Sequence, residues 1–211
     1  MYLSRIFLDP TSRQVQSEMA NRYELHRTLT AQFPQAQRDE IGLLYRLEIH
    51  QDQPDRPLVL LAQSQTHPSW ETLYQKGYLL DYPDVKTFEL AFPVGCLYHF
   101  RLLANPSKRL KQPDGKSKRV GIYQLTEQEQ WLKRKSGQSG FEVLDLRVLV
   151  QGLVRGSKHE KDEQHSIKHL GVQFEGVLRV EDSDLLKKSV ADGIGSAKAF
   201  GFGMLSLARS S

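Results

Sequence analysis

The chain has 211 residues, of which 39% are hydrophobic, and its 29 Lys and Arg against 25 Asp and Glu give a formal net charge of +4. This length and composition suit a globular protein of one ordinary domain or two small ones, and exclude a fibrous or disordered chain. The single cysteine, Cys96, excludes an intrachain disulfide and any multi-cysteine metal site. Arg5 and Asp9 interrupt the apolar run near the start, and Leu58–Ala62 is too short to span a bilayer. We therefore expect a cytoplasmic protein with no membrane partner.

The first half of the chain predicts the element order β-α-β-β-α-β. Tyr2–Leu8 is rich in β-branched and aromatic residues and predicts the first strand. A helix follows, and Asn21 with Glu24 has the form of a capping box at its start. Apolar residues then recur at every fourth position of this helix until Pro34: Leu25, Leu29 and Phe33. The remaining elements are strands at Leu43–Ile49 and Leu58–Gln63, able to pair as a hairpin, a faint helix at Trp70–Tyr74 and a strand at Val85–Leu90.

The second half repeats this order. Its predicted strands are Cys96–Leu103, Glu142–Val150, His169–Val180 and Met204–Leu207. Its predicted helices are Thr126–Lys135, with a Thr126/Glu129 capping box, and Asp182–Ser189. Two successive β-α-β-β-α-β units predict an α+β fold of two tandem ferredoxin-like domains. We place these domains at residues 1–93 and 96–211, with a boundary near Pro93-Val94-Gly95.

Basic residues are concentrated in the second half. Six cations and one acid, Asp114, lie between the strand at residues 96–103 and the following helix: Lys108, Arg109, Lys111, Lys116, Lys118 and Arg119. A basic hairpin or loop of this length can follow a phosphate backbone. Lys133-Arg134-Lys135 ends the helix, where cations also suit the helix dipole, and Arg155–Lys168 mixes both signs and predicts a flexible loop. Each run alone is more often a solvated surface than a binding site, but their concentration in the second half favours a polyanion partner, with nucleic acid as the leading candidate.

Residues 193–203 (GIGSAKAFGFG) contain four glycines and Lys198. Glycine lets backbone N–H groups approach a phosphate closely, and the lysine adds charge. A Rossmann fingerprint would open a helix after a first strand, and a Walker loop needs Gly-Lys-Ser/Thr, so neither is present and no nucleotide cofactor is implied. The alternative explanation is a tight loop that needs glycines for its turns.

Four features in this order are similar to the CasE family of CRISPR precursor-RNA endoribonucleases, which belong to the RAMP superfamily. They are the N-terminal strand, the helix with Tyr23-x-x-His26, the segment Arg101-Leu102-Leu103-Ala104-Asn105-Pro106-x-Lys108-Arg109, and the closing Gly193-x-Gly195-x-x-Lys198-Ala199-x-Gly201-x-Gly203 followed by Met204-Leu205-Ser206-Leu207. The resemblance implies two ferredoxin-like (RRM-related) domains and binding of a CRISPR repeat RNA stem-loop. It also implies metal-independent cleavage beside the stem and retention of the product as a subunit of the type I-E Cascade complex.

His26 is the candidate for proton transfer. RNA carries its own nucleophile, the 2′-hydroxyl, so cleavage requires alignment, proton transfer and charge neutralisation. Histidine suits this role because its ordinary pKa is about 6.5. At about 100° per residue, His26 falls at the border of the buried stripe that contains Leu25. A lone histidine there is commonly a core-edge residue, and it is the resemblance that favours catalysis.

The candidate site residues follow from the helix phase, the basic segment and the resemblance. His26 is assigned proton transfer, as general base or general acid, and Tyr23 is its hydrogen-bonding partner because a phenol with an ordinary pKa of about 10 is a poor base. Arg22 points towards the buried stripe and is a weaker candidate. The predicted RNA-binding residues are Arg27, Lys108, Arg109, Lys116, Lys118, Arg119, Gly193, Gly195, Lys198, Gly201 and Gly203.

Two alternatives remain open at this point. The chain could be a non-catalytic guide-RNA-binding subunit of the same superfamily, or a scaffold whose basic loop docks other proteins. No His/Cys cluster has metal-ligand spacing, so no metal site is predicted.

Overall fold

The computed structural model describes residues 1–48, 57–112, 115–160 and 163–209, without the side chains of residues 38, 158–160 and 163–165. The chain divides into two compact units, and each contains one four-stranded sheet. Unit 1 comprises Met1–Leu90, Arg155–Ile167 and Lys198–Gly201. Unit 2 comprises Ala91–Val154, Lys168–Ala197 and Phe202–Ser211. The change near residue 90 lies close to the predicted boundary, but two later segments group with unit 1.

Unit 1 has the strand order expected of a ferredoxin-like sheet. Its elements are β1 (Tyr2–Leu8), α1 (Arg13–Ala20), α2 (Arg22–Thr30), α3 (Arg38–Ile41), β2 (Leu44–Glu48), β3 (Leu58–Ser64), α4 (Glu71–Gln75) and β4 (Asp84–Thr87). The sheet order is β2-β3-β1-β4 with antiparallel pairing, so β2 and β3 form the predicted hairpin. Ile49, the last residue of the predicted second strand, and the connection at residues 50–56 lie outside the described residues.

The core of unit 1 forms where α2 covers the central strands. Ile6 of β1 lies directly across from Leu60 of β3, and both are fully buried. Leu25 and Leu29, four residues apart on α2, are also fully buried, as the predicted stripe requires. Each such side chain stabilises the fold by about 1.5–3 kcal/mol. This packing holds α2 against the sheet.

The start of α2 differs from its prediction. The first helix, α1, is not predicted, because RQVQSEMA carries only a weak apolar pattern, and Asn21 joins α1 to α2. The predicted capping box at Asn21 and Glu24 is wrong, since the Asn21 side chain makes no cap hydrogen bond. Phe33 lies beyond the end of α2 at Thr30 but is buried, as predicted.

Unit 2 repeats the same strand order. Its elements are β5 (Leu97–Ala104), β6 (Ser107–Lys111), β7 (Ser117–Gly121), α5 (Leu125–Gln138), β8 (Phe141–Glu160), β9 (Glu163–Val180), α6 (Ser183–Asp192) and β10 (Leu205–Arg209). The main sheet has the order β10-β5-β9-β8, while β6 and β7 form a separate two-stranded hairpin. The two sheets confirm the predicted α+β class with tandem ferredoxin-like topology. Among the described residues, no helix is long and apolar enough to cross a membrane.

Two further predictions in the second half are wrong. Arg155–Lys168 is not a flexible loop: its described residues continue β8 to Glu160 and begin β9 at Glu163. The helix α5 begins after Gln124 and shows no side-chain cap, so Thr126 and Glu129 do not form a capping box. By contrast, Asp182 caps α6, because its carboxylate accepts hydrogen bonds from the backbone N–H groups of Asp184 and Leu185 at 2.9 and 3.0 Å.

Candidate functional site

The helix α2 presents Tyr23 and His26 at the edge of the unit 1 core. Leu25 is fully buried, whereas His26 and Tyr23 are half-buried and Arg27 is exposed. This ranking of exposure agrees with the predicted border position of His26. The Nδ1 atom of His26 is buried. The helix therefore holds the imidazole at a boundary between core and solvent, where a ring can be both fixed and accessible.

Tyr45 of β2 packs against His26 from the core. The two rings are nearly parallel, at 17°, with centroids 6.2 Å apart. The Tyr45 side chain is fully buried, and its hydroxyl lies 3.0 Å from the Ala199 carbonyl oxygen and 3.2 Å from that of Arg22. Burial raises the pKa of Tyr45 well above that of an exposed tyrosine, so the phenol keeps its proton and donates it. Sequence reasoning missed this residue, because a tyrosine in a hydrophobic strand resembles any other core residue.

The segment Lys198–Gly201 of the glycine-rich loop belongs to the same unit as His26. Lys198 begins a short 3₁₀ turn, Lys198–Phe200, and is half-buried. The Phe200 ring lies 6.3 Å from the Tyr23 ring. Gly201 has φ +85°, and a Cβ at this position would lie 3.0 Å from the Tyr45 ring. Glycine therefore permits both the turn and its close approach to Tyr45.

A third segment, at Gly156 and Ser157 of β8, also contacts the start of α2. The Asn21 side-chain amide donates to the Ser157 hydroxyl at 3.0 Å, and the Ser157 backbone N–H donates to Asn21 Oδ1 at 3.0 Å. A Cβ on Gly156 would lie 2.6 Å from the Phe200 ring and 3.0 Å from Asn21 Oδ1. This pair of hydrogen bonds explains why Asn21 does not cap α2, and no local sequence pattern could have predicted it.

The arginines that flank the Tyr23-x-x-His26 pattern differ in environment. Arg27 is exposed and forms an ion pair with Glu24 at 2.9 Å. Such an exposed pair is weak, so Arg27 can exchange the carboxylate for a phosphate. Arg22 donates to the Met19 sulfur at 3.0 Å, and desolvation lowers the pKa of its guanidinium. Arg22 therefore faces the interior, as the helix phase predicts.

A buried carboxylate fastens α1 to α2. Glu18 is 5% exposed and accepts hydrogen bonds from Thr28 Oγ1 at 2.6 Å, Gln14 Nε2 at 2.8 Å and the Tyr78 hydroxyl. Burial and the hydrogen bond to Glu18 raise the pKa of Tyr78 far above its ordinary value. These bonds satisfy the carboxylate within the core and hold the two helices together.

Unit 2 contains a separate basic pocket of about 230 Å³. All the charged side chains that line it are cations, from the β6–β7 hairpin and from α5: Lys108, Arg109, Arg119, Arg134 and Lys135. The rest of the lining is Ser107, Trp131, Gly195 and Ser196. Arg109 lies directly across from Arg119 in the hairpin. Like charges in such a pair repel each other, and an anion between them would relieve that repulsion.

Not every predicted basic residue lines this pocket. Lys108 also pairs with Glu127 at 2.8 Å. Lys116 is exposed next to β7 and Lys118 is exposed within it, and neither is part of the pocket lining. Arg134 and Lys135 come from the basic group at the end of the helix, which sequence reasoning noted but did not assign to the site. The sequence shows their clustered charge, but it does not show that the end of α5 lies next to the β6–β7 hairpin.

The glycines of residues 193–203 serve the fold more than predicted. The backbone N–H groups of Gly193, Gly201 and Gly203 donate to the carbonyls of other residues, at 2.9, 3.0 and 2.8 Å: those of Ser189, Lys198 and Leu103. These three N–H groups are occupied by the protein itself. Of the loop residues predicted to bind RNA, this leaves Gly195, which lines the basic pocket next to Ser196, and Lys198 as candidates for phosphate contact.

His169 of β9 lies near the basic hairpin. Its Nδ1 is 2.8 Å from Asn105 Nδ2, and an amide NH₂ can only donate, so Nδ1 accepts and the proton of the neutral ring is on Nε2. Desolvation, and secondarily the charge of Arg119, lowers the pKa of His169. The ring therefore favours its neutral form.

The fold and these two sites define a tandem ferredoxin-like protein with a histidine-bearing helix in one unit and a cation-lined pocket in the other. Residues 1–209 match the family described as CRISPR associated protein. The chain is 36% identical to the CRISPR-associated endoribonuclease Cse3 of Thermus thermophilus, over 99% of this chain and 100% of the relative. It is 31% identical to the CRISPR system Cascade subunit CasE of Escherichia coli, over 99% of each.

A solved structure agrees with these relationships. The CRISPR endoribonuclease Cse3 bound to a 19-nucleotide RNA superimposes with a TM-score of 0.86 at 33% identity, covering 99% of this chain and all of the other. The chain belongs to the CasE (Cse3) family of CRISPR-associated proteins.

Proposed function

We propose that the chain is an endoribonuclease that cleaves CRISPR precursor RNA at the repeat stem-loop. The observation that carries this proposal is the grouping of Tyr23, His26 and Lys198 in one unit, around the buried Tyr45. The Thermus thermophilus relative is named as an endoribonuclease, and a neighbouring structure contains RNA. The Escherichia coli relative is named as a Cascade subunit. We therefore propose that the chain, in the cytoplasm, retains its product within Cascade.

The proposed reaction uses the RNA's own 2′-hydroxyl and needs no metal. The 2′-oxygen attacks the adjacent phosphorus, a 2′-O–P bond forms and the P–O5′ bond breaks, which gives a 2′,3′-cyclic phosphate and a 5′-hydroxyl. One proton leaves the 2′-oxygen and one reaches the 5′-oxygen. His26 transfers one of these protons, and Tyr23 orients the 2′-hydroxyl or the imidazole. Since Nδ1 is buried, we assign proton transfer to Nε2.

Cations are proposed to hold the phosphates. Lys198 and Arg27 lie in the same unit as His26 and neutralise charge at the scissile phosphate. Arg109 and Arg119, with Arg134 and Lys135, hold the backbone of the stem in the basic pocket. Lys116 and Lys118 extend this surface along the hairpin.

The test compares His26→Ala with His67→Ala, a variant at an exposed histidine of the same unit. Each protein is mixed, in excess chelator, with labelled repeat RNA and with RNA in which hydrogen replaces the 2′-hydroxyl at the cleavage site. We expect wild type and His67→Ala to cut only the first RNA, leaving a 2′,3′-cyclic phosphate and a 5′-hydroxyl. His26→Ala should bind both RNAs but cut at least about 100-fold more slowly, since general acid–base catalysis contributes about 10²–10⁴-fold.

Each contrary outcome has a separate meaning. Normal cleavage by His26→Ala would remove His26 from the mechanism. A 5′-phosphate product, or activity lost on chelation, would contradict the metal-independent route. Tight binding by wild type without cleavage would favour a non-catalytic guide-RNA-binding subunit, and no binding would favour a protein scaffold.

A further inference from the structure

Tyr45 contacts two parts of unit 1 that come from distant positions in the chain, the helix α2 and the turn Lys198–Phe200. Its ring lies against His26, and its hydroxyl lies within hydrogen-bond distance of carbonyls on α2 and on the turn that follows Lys198. The residues joined by the hydrogen bond to Ala199 are 154 positions apart. We propose that Tyr45 is a positioning residue for RNA cleavage, which holds Lys198 in a fixed place relative to His26. This inference rests on the proposed function of those two residues.

The hydroxyl links α2 to the turn. A phenol has one proton and here two carbonyl acceptors, at 3.0 Å on Ala199 and 3.2 Å on Arg22. Ala199 follows Lys198 directly, so a restraint on the Ala199 carbonyl also restrains the lysine backbone. Arg22 precedes His26 by one turn of α2, so the same hydroxyl fixes the position of the Lys198–Phe200 turn relative to the helix that carries the imidazole.

The packing around the ring strengthens this link. Gly201 approaches the Tyr45 ring so closely that a Cβ would be 3.0 Å from it. The turn is thus pressed against one part of the ring, while His26 lies against another. Because both are packed against a single rigid side chain that is itself fully buried, neither can shift without disturbing the other.

Tyr78 supplies a matched control. It is also a buried tyrosine of unit 1, but its hydroxyl donates to Glu18 on α1. Tyr45→Phe and Tyr78→Phe each remove one buried hydroxyl and retain the ring. A general loss of core stability would affect both variants, whereas a loss of positioning is specific to Tyr45.

The experiment measures single-turnover cleavage of repeat RNA and the Kd for the uncleavable 2′-deoxy RNA, at 25 °C. The variants are Tyr45→Phe, Lys198→Ala, their combination and Tyr78→Phe. We expect Tyr45→Phe to cleave about tenfold more slowly with a Kd within about twofold of wild type, because a displaced catalytic group lowers the rate without removing ground-state contacts. In the Lys198→Ala background, Tyr45→Phe should lower the cleavage rate by less than about twofold. The cleavage rate of Tyr78→Phe should stay within about twofold of wild type.

Gly201→Ala is a second variant, which disturbs the same contact from the turn and leaves the hydroxyl in place. It should slow cleavage without weakening binding, and it keeps the inference testable if Tyr45→Phe is poorly folded. The inference is overturned if Tyr45→Phe cleaves at the wild-type rate, or if Tyr45→Phe slows cleavage as much in the Lys198→Ala background as in the wild type. It is also overturned if Tyr78→Phe slows cleavage as much as Tyr45→Phe does. Full activity of Lys198→Ala also overturns it. Failure of the proposed function is recognised separately, because the wild-type protein would then not cleave the repeat RNA, and normal cleavage by His26→Ala would remove only the role of His26.

Discussion

Gly156 lies where β8 passes both the start of α2 and the turn at Phe200, and Gly156→Ala tests whether this contact holds the site together. The added Cβ would be 2.6 Å from Phe200 Cε1 and 3.0 Å from Asn21 Oδ1. Carbon atoms in contact prefer about 3.5–4.0 Å, so the ring or the strand must move by about 1 Å. Both neighbours are held, since Phe200 is 7% exposed and Asn21 is bonded to Ser157.

Two losses follow from this displacement. Overpacking of this kind destabilises a protein by about 1–3 kcal/mol. Phe200 also contacts the Tyr23 ring and belongs to the turn that Lys198 begins. A displacement of about 1 Å at a catalytic group can cost about 100-fold in rate, so we expect cleavage to slow by about 10- to 100-fold.

Gly171 of β9 provides the matched control, because the nearest atoms to a Cβ there would be the Gly152 carbonyl oxygen at 3.4 Å and Phe202 Cε1 at 3.5 Å, which are ordinary contact distances. Stability is measured by urea unfolding and cleavage by single-turnover assay of labelled repeat RNA. Gly171→Ala should change both by much less. If Gly156→Ala is as stable and as active as Gly171→Ala, then the close contact of β8 with Phe200 does not organise the site, and the reasoning is wrong.

Two further substitutions test the other contacts. Arg119→Ala should lower the slope of log K against log salt for RNA binding by about one, and should raise the pKa of His169 in an NMR titration, because a repelling cation is lost. The control Lys188→Ala removes an exposed charge on α6 and should change neither quantity. An unchanged salt slope in Arg119→Ala would remove Arg119 from the RNA interface. Asn21→Ala should destabilise the protein in urea unfolding by about 1–3 kcal/mol, because it removes two hydrogen bonds to Ser157. Thr126→Ala should lower the stability by less than about 0.5 kcal/mol, since Thr126 caps no helix. Equal losses in the two variants would contradict the structural role of the Asn21–Ser157 hydrogen bonds.

The sheets were predictable because strand periodicity is a local property. The predicted strand Tyr2–Leu8 matches β1 at both ends, and the four-stranded sheets of the two halves have the same strand order. The position of His26 followed from helix phase, which needs only Leu25, Leu29 and an angle per residue. The basic hairpin was also foreseeable, since its charge is concentrated between two clear elements.

The failures share a physical cause, which is competition from distant partners. Asn21 has the sequence of a cap, yet its side chain binds Ser157, 136 residues away, so a local rule lost to a tertiary contact. The mixed charges of Arg155–Lys168 are typical of a loop, but the described residues form long strands. Charged residues suit strands wherever a sheet meets solvent, and composition alone does not distinguish the two cases.

The contacts around His26 show that residues 1–93, the predicted first domain, do not contain all the segments that form its surroundings. Residues 1–93 contain Tyr23, His26 and Tyr45, but not Ser157 or Ala199, which bind Asn21 and Tyr45. A fragment cut at this boundary would leave the Asn21 amide and the Tyr45 hydroxyl without these partners, and buried polar groups that lose their partners are costly. The Tyr-x-x-His pattern therefore becomes a site only when the chain has returned twice to the first unit, once at Gly156 and Ser157 and again at Lys198–Gly201.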